Sequence, residues 1–176
     1  ETPASVSVIS RKQVEEQGAQ GIDQAVRGTP SVVSQTGGLE NAADYLYVRG
    51  FNPTILLNGL FLPPGDSFTE GMAGNSPKVE PYGLERIEVL RGSASALYGQ
   101  LSAGGALSLV SKRPTEVPFG EVQLQTGNYA RKQAAFDFGG PVTEDGTFLY
   151  RLTGLGRITD TQIDHVGDER LFIAPS

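Results

Sequence analysis

The chain has 176 residues, with 20 acidic against 14 basic and a formal net charge of −6. Its Lys and Arg stand singly or in pairs, so no basic stripe suggests a nucleic-acid or anionic-lipid surface. It has no cysteine, which removes disulfides and thiolate metal sites and is compatible with an oxidising periplasm; no apolar run approaches the roughly 20 residues of a membrane helix, so a membrane role would have to be carried by β-strands.

No signal peptide opens the chain, and the N-terminus reads as processed or trimmed. Residues Ala4 to Ile9 alternate small or polar residues with Val6, Val8 and Ile9. Ser10 followed by Gln13 makes a capping-box pattern for a helix over about Arg11 to Gln17, which Gly18 ends. A second short helix, about Ile22 to Arg27, places Ile22, Ala25 and Val26 on one face before Gly28, Thr29 and Pro30 stop it. The polar stretch Gln35 to Asp44 reads as a loop feeding a strand at Tyr45 to Arg49. Thr54 to Leu57 and Leu60 to Leu62 flank Asn58-Gly59, the dipeptide best suited to the two positive φ angles of a type I′ turn, so a β-hairpin is predicted. Pro63 to Pro77 is too broken by proline and glycine for a regular element and reads as a long surface loop that displays Phe68 and Met72.

The stretch Arg86 to Pro114 reads as strand, short helix, glycine turn, strand. Ile87 and Val89 alternate with Glu88; Ser93 caps a helical turn closing at Gly99; Gly104 and Gly105 permit a sharp reversal; and Ala106 to Ser111 runs as a second strand ending at Lys112-Arg113. The predicted sheet of this first domain is built from strands 45–49, 54–62, 86–90 and 106–111.

Beyond Pro118 the strands lengthen and alternate. Val122 and Leu124 alternate with Gln123 and Gln125; Ala134, Phe136 and Phe138 with Gln133 and Asp137. In 148–158 the even positions are Phe148, Tyr150, Leu152, Gly154, Gly156 and Ile158, while Arg151, Thr153 and Arg157 fall on the other face. One greasy and one wet face suits a transmembrane barrel strand, although a sandwich strand gives the same pattern. A short turn at Pro141 to Thr147, a longer loop at Thr159 to Glu169 and a last strand at about 170–174 complete the series. Four such strands cannot close a barrel, so the sequence is expected to stop inside a domain.

Enzyme chemistry finds little support. The one histidine, His165, sits in a polar loop without a serine or cysteine motif; the pairs Glu15-Glu16 and Asp168-Glu169 lack a D-x-D-x-D-G spacing; and the glycines of 99–105 are not followed by Gly-Lys-Ser/Thr. No metal site or catalytic residue is assigned. Arg49, Glu85, Arg86, Glu88 and Arg91 form the one charge set that stands out, and ordinary surface pairing would account for it at little energetic worth.

The tract from Glu85 to Pro114 resembles, nearly position by position, the signature of the plug domain of TonB-dependent outer-membrane receptors. Pro3 to Ser10, Thr29-Pro30-Ser31-Val32 and Val48-Arg49-Gly50-Phe51 resemble the family's opening, its TPGV-like turn and its [IV]RGF strand, in the expected order. The 81–86 approach and the Ser111-Lys112-Arg113-Pro114 exit look most like siderophore receptors, especially those of hydroxamate, ferrichrome type. The resemblance implies an α+β plug over residues 1–114, a small mixed sheet with short helices, followed over 115–176 by the first antiparallel strands of a transmembrane β-barrel. It implies a non-enzymatic, ligand-gated receptor for ferric siderophores in the outer membrane of a Gram-negative bacterium, the plug lying inside the barrel. A TonB-type transducer and outer-membrane lipid would be its partners, with no nucleic acid and no cofactor, since the siderophore carries the iron. A TonB-box segment would precede Glu1.

In the family the residues matching Arg49, Glu85, Arg86, Glu88 and Arg91 pair with charges on the barrel wall, and polar contact suits a domain that must later let go better than a hydrophobic seam does. Gln35, Phe51, Asn52, Phe68 and Met72, on loops expected to gather at one end, are the candidate ligand contacts, with Phe68 as a mere loop staple the competing reading. Ferrichrome-type receptors carry an arginine twelve residues before the RGF arginine, where this chain has Gly37. The rival reading is a soluble or signalling β-rich module reusing the plug fold, its last strands belonging to a sandwich.

Overall fold

A computed structural model describes residues 5–34, 44–62, 78–91, 102–143, 145–161 and 165–176. The chain divides into two compact units, Glu1–Ser111 and Lys112–Ser176.

In the first unit β1 (Ser5–Ser10) runs into α1 (Arg11–Gln17). The Ser10 hydroxyl accepts the Gln13 N–H and Gly18 closes the helix at φ 62°, as the capping-box pattern predicts. The second helix, α2, spans only Ile22–Ala25, with Ile22, Ala25 and Val26 buried. Next come β2 (Val32–Ser34), β3 (Leu46–Val48), β4 (Thr54–Leu57) and β5 (Leu60–Phe61). A 3-10 turn at Pro81–Gly83, β6 (Leu84–Arg91) and β7 (Ala106–Ser111) follow. Five strands form a mixed sheet in the order β1-β6-β7-β4-β5, with β4 parallel to β7 and the other pairs antiparallel.

The composition of this sheet departs from expectation in one place. The strand at 45–49 belongs instead to a separate two-stranded ribbon with β2, and its seat is taken by β1. The reason lies at Arg49-Gly50, which is a turn and not strand. Both residues take positive φ, 54° and 81°, and the Val48 and Phe51 backbones close the turn on each other at 2.9 and 3.0 Å. Asn58-Gly59 adopts the same sign pattern, 52° and 85°, in the predicted hairpin. The central strands supply the core: Ile87 faces Leu109 and Val89 faces Leu107 across the β6–β7 ladder, and all four are fully buried. At roughly 1.5–3 kcal/mol for each such side chain, this layer dominates the unit's stability. Gly105, at φ 113°, brings β7 in so closely that a Cβ there would lie 2.1 Å from the Leu90 carbonyl; the predicted glycine reversal is thus a requirement of packing as well as of dihedral angle.

The second unit is an antiparallel meander of β8 (Phe119–Thr126), β9 (Lys132–Pro141), β10 (Leu149–Asp160) and β11 (Gly167–Pro175) in the order β11-β10-β9-β8. The loop expected at 159–169 is shorter than its polarity suggested, because Thr159 pairs with Asp168 and Asp160 with Gly167, carrying the ladder outward. Thr159 and Asp168 continue the buried polar face, while Asp160 and Gly167 fall on the opposite, exposed one; by composition these residues were indistinguishable from loop. The burial pattern is inverted relative to a water-soluble sheet: Asp137, Arg151, Thr153 and Arg157 are buried, whereas Val122, Leu124, Ile158, Leu171 and Ile173 are exposed, Leu124 and Leu171 by 79% and 81%.

Candidate functional site

Arg49, Phe51 and Asn52 come together on the β3–β4 connection. All three are exposed, Phe51 by 55%. Gly104 comes up against this turn: a Cβ at Gly104 would sit 2.3 Å from the Val48 carbonyl and 3.0 Å from the Phe51 Cβ. The turn that presents Phe51 is therefore seated on the glycine reversal that starts β7. Gln35, Phe68 and Met72 lie outside the described residues, as do the 63–77 loop and the 93–99 helical turn.

The predicted charge set separates into different environments. Glu85 and Arg86 are exposed on β6, and Arg86 Nε donates to Glu88 Oε1 at 2.6 Å, a pair two residues apart on one strand face. Arg91 is buried at 9% exposure. Its guanidinium donates to the Pro30 carbonyl at 2.8 Å, to Ser5 Oγ at 3.0 Å and to Ser7 Oγ at 2.7 Å. Ser5 is its cross-strand partner and Ser7 lies two residues along the same face, so Arg91 ties β1, β6 and the Thr29–Val32 turn together. Its donors are engaged inside the unit.

A buried polar cluster lies in the second unit. Asp137 is fully buried and accepts from Lys112 Nζ at 2.8 Å, from Arg151 Nε and Nη2 at 2.8 Å each, and from Thr153 Oγ1 at 3.1 Å. Arg151 also donates to the Arg113 carbonyl at 2.9 Å, and its guanidinium lies 4.9 Å from the centre of the Phe119 ring. Gly139 makes that contact possible. It stands between Phe119 and Arg151 in the strand register, and a Cβ on it would come within 2.7 Å of the Phe119 ring. One carboxylate is thus shared by two buried cations, with bidentate geometry on the arginine, and the cluster binds the Lys112-Arg113 segment to β9 and β10. The sequence signal for it was the wet face of alternate residues that contains Asp137, Arg151 and Thr153. Which of them meet, and that Lys112 joins them, needed the register.

A small mixed sheet with capped helices, followed in the chain by an inside-out antiparallel sheet, is the architecture of a receptor plug and the opening strands of a barrel. Residues 1–106 match the TonB-dependent Receptor Plug Domain family, and the chain belongs to that family. Over its whole length it is 42% identical to the ferrioxamine B receptor of Salmonella typhimurium, of which it covers 25%. Over 99% of its length it is 38% identical to the ferrichrome outer membrane transporter/phage receptor of Escherichia coli K12, of which it covers 23%. The chain therefore spans about a quarter of the length of these relatives. Its fold is similar to that of the pyoverdine outer membrane receptor FpvA of Pseudomonas aeruginosa PAO1 bound to pyoverdine, with a TM-score of 0.80 and 26% identity over 99% of this chain and 25% of that one. These relatives are receptors and transporters, and no enzyme chemistry enters the reading of the chain.

Proposed function

We propose that the chain is the plug and the first barrel strands of an outer-membrane receptor for a ferric hydroxamate siderophore. The ligand binds on the outer side, and a TonB-type transducer in the periplasm pulls on the plug to open a path. The observation that carries this reading is the inverted sheet of the second unit. Leu124, Leu171 and Ile173 face outward while Asp137, Arg151 and Arg157 are buried, which suits strands with lipid outside and a polar lumen inside. A soluble sandwich buries the opposite face, so the rival reading would leave a contiguous apolar surface in water. The ligand class rests on the relatives, two of which are named for ferrioxamine B and ferrichrome.

The iron travels inside the siderophore as cargo, so the protein needs aromatic and hydrogen-bonding contacts to an organic shell and no ligands to the metal. Phe51 and Asn52, with Gln35, Phe68 and Met72 from the neighbouring sequence, are assigned this contact. Arg49, Glu85, Arg86 and Glu88 are assigned to polar pairing between plug and barrel wall. Arg91, engaged with Pro30, Ser5 and Ser7, is assigned the role of holding the plug's own strands beside that set.

Equilibrium binding of ferric ferrioxamine B and ferrichrome to the purified full-length receptor in detergent tests the proposal. Binding of at least one hydroxamate complex is expected, weakened on the order of tenfold by Phe51→Ala through the loss of an aromatic contact. A full-length protein that stays soluble without detergent and binds neither complex overturns it.

A further inference from the structure

Two acidic side chains are buried in the first unit, and neither belongs to the sites assigned above. Asp23 of α2 and Asp44, just before β3, are 4% and 5% exposed. Their Oδ1 atoms converge beside Gly21, at 2.6 and 2.4 Å from the point a Cβ there would occupy. Gly21 is the N-cap of α2 in extended backbone, at φ −149°, so its dihedral angle does not require glycine. The space for two carboxyl groups does.

Each carboxyl has backbone work. Asp23 Oδ1 accepts the Gln24 N–H at 2.8 Å, and the Asp44 side chain takes a backbone hydrogen bond from Ile22, supplying from a distance the cap that Gly21 lacks. That leaves Asp44 Oδ1, which is buried and meets no N–H or O–H donor. What it faces is the Asp23 carboxyl. Two ionised carboxylates offer only acceptors, and two negative charges held together out of water repel while losing their hydration. One proton removes both problems, because it turns one carboxyl into the donor that the other accepts.

We propose that Asp23 and Asp44 share a single proton, and that the shared proton is a latch which pins the start of β3 to the first turn of α2 and loosens in an alkaline medium. The charged groups around the latch come from the elements packed there. Asp23 lies on α2, and Lys78, from the segment before the 3-10 turn, brings its Cε within 3.4 Å of the same point beside Gly21. Glu80, two residues further on, is buried as well, and its Oε1 accepts the Tyr82 N–H. Burial first, then the Asp23 carboxyl, push Asp44 up from 3.8 to about 7, against the pull of the Lys78 ammonium. A carboxyl raised in the folded state contributes stability that is complete below its ordinary value of 3.8 and is lost as the pH rises through about 7.

Hydrogen–deuterium exchange of the full-length receptor, read in peptides covering 20–27 and 44–49 and corrected for intrinsic exchange, tests the latch. Protection of these amides is expected to fall on the order of tenfold between about pH 6 and about pH 8, the change in the protonated fraction across the midpoint. In Asp44→Asn or Asp23→Asn an amide donates permanently to the remaining carboxylate, so protection should persist at both pH values. Should Asp44→Asn fail to fold, Asp23→Asn carries the same comparison. Equal protection of the wild type at both pH values overturns the proposal, as does an unchanged pH response in a folded variant. Protection at alkaline pH that depends on added magnesium or calcium and disappears with chelator also overturns it, in favour of a bound cation.

Discussion

Asp137 is fully buried and accepts from three side chains, and its removal should be felt accordingly. Asp137→Ala removes the carboxylate that Lys112 and Arg151 share in a buried site, a change that costs about 3–5 kcal/mol when one partner of a buried pair is deleted. Asp137→Asn keeps acceptor and shape while losing the charge, so it should destabilise the receptor by less. Equilibrium unfolding of the full-length protein in detergent ranks the two; equal stability of Asp137→Ala and wild type would show that Lys112 and Arg151 find other partners at no cost. Arg91 makes a parallel case inside the plug. Arg91→Met removes the bonds to the Pro30 carbonyl, Ser5 and Ser7; Pro30 and Ser5 are exposed, so the loss is about 1 kcal/mol per bond at most, and it should speed exchange of the β1 and β6 amides in urea. In the sequence Asp137 was visible as a charge on a predicted strand and Arg91 as one just past the end of the 86–90 strand. Arg91 stood out through resemblance and Asp137 only as one polar member of a wet face, because a linear pattern marks which face a side chain occupies and leaves its cross-strand partner undetermined.

At the scale of elements, the signals read correctly were those with a local cause. Ser10, Gln13 and Gly18 delimit α1 through hydrogen bonds and a dihedral angle contained within eight or so residues, and Asn58-Gly59 dictates its hairpin. The Arg49-Gly50 turn escaped notice because arginine carries no preference for positive φ; the conformation is imposed by the strands β2 and β3 that meet there and by Gly104 beneath it. The same contrast supports a test at Asn58. Its side chain bonds the Ser111 N–H at 2.9 Å and the Ser111 hydroxyl at 3.0 Å, docking the hairpin on the end of β7. Asn58→Gly keeps the dihedral freedom and loses only those bonds, about 1 kcal/mol each, whereas Asn58→Ala adds the left-handed penalty of about 1–2 kcal/mol. Exchange rates of the β4 and β7 amides should therefore order as wild type, glycine, alanine, from slowest to fastest. The β9–β10 turn offers a pH test of opposite sign to the latch. Hydrogen bonds from Thr143, then from Thr147, hold the exposed Asp145 carboxyl down at about 2, so its contribution is complete above its ordinary value of 3.8 and is lost as the pH falls through about 2. In Thr147→Val the Asp145 carboxyl, followed by carbon NMR, should titrate nearer that ordinary value.

For the molecule as a whole, the question is what solvent the outer face of the second unit meets. Alternation in the sequence left barrel and sandwich equally open for these strands, since both put one apolar face against something; only the burial of the charged face and the exposure of the apolar one separates them. The face presents Val122 and Leu124 on β8, Ile158 on β10 and Leu171 and Ile173 on β11, each at least 60% exposed, and β8 and β11 are the outermost strands of the described sheet. A protein that placed this face in water would expose five large apolar side chains on one sheet face, the kind of patch that marks an interaction or membrane surface. Substitution of one outward residue discriminates the two solvents by sign. Leu171→Arg in water would relieve an exposed hydrophobe and leave stability unchanged or raised; in a bilayer it should cost about 2–4 kcal/mol near the midplane and less toward either interface. Glu121→Arg on β8 is the control, because Glu121 sits opposite Asp137 in the ladder and thus on the inward, polar face, where charge carries no lipid penalty. Refolding both variants of the full-length receptor into lipid vesicles and titrating with denaturant gives the comparison directly. A loss of stability confined to Leu171→Arg is expected; equal tolerance of arginine at both positions would remove the bilayer from the outer face and with it the barrel assignment.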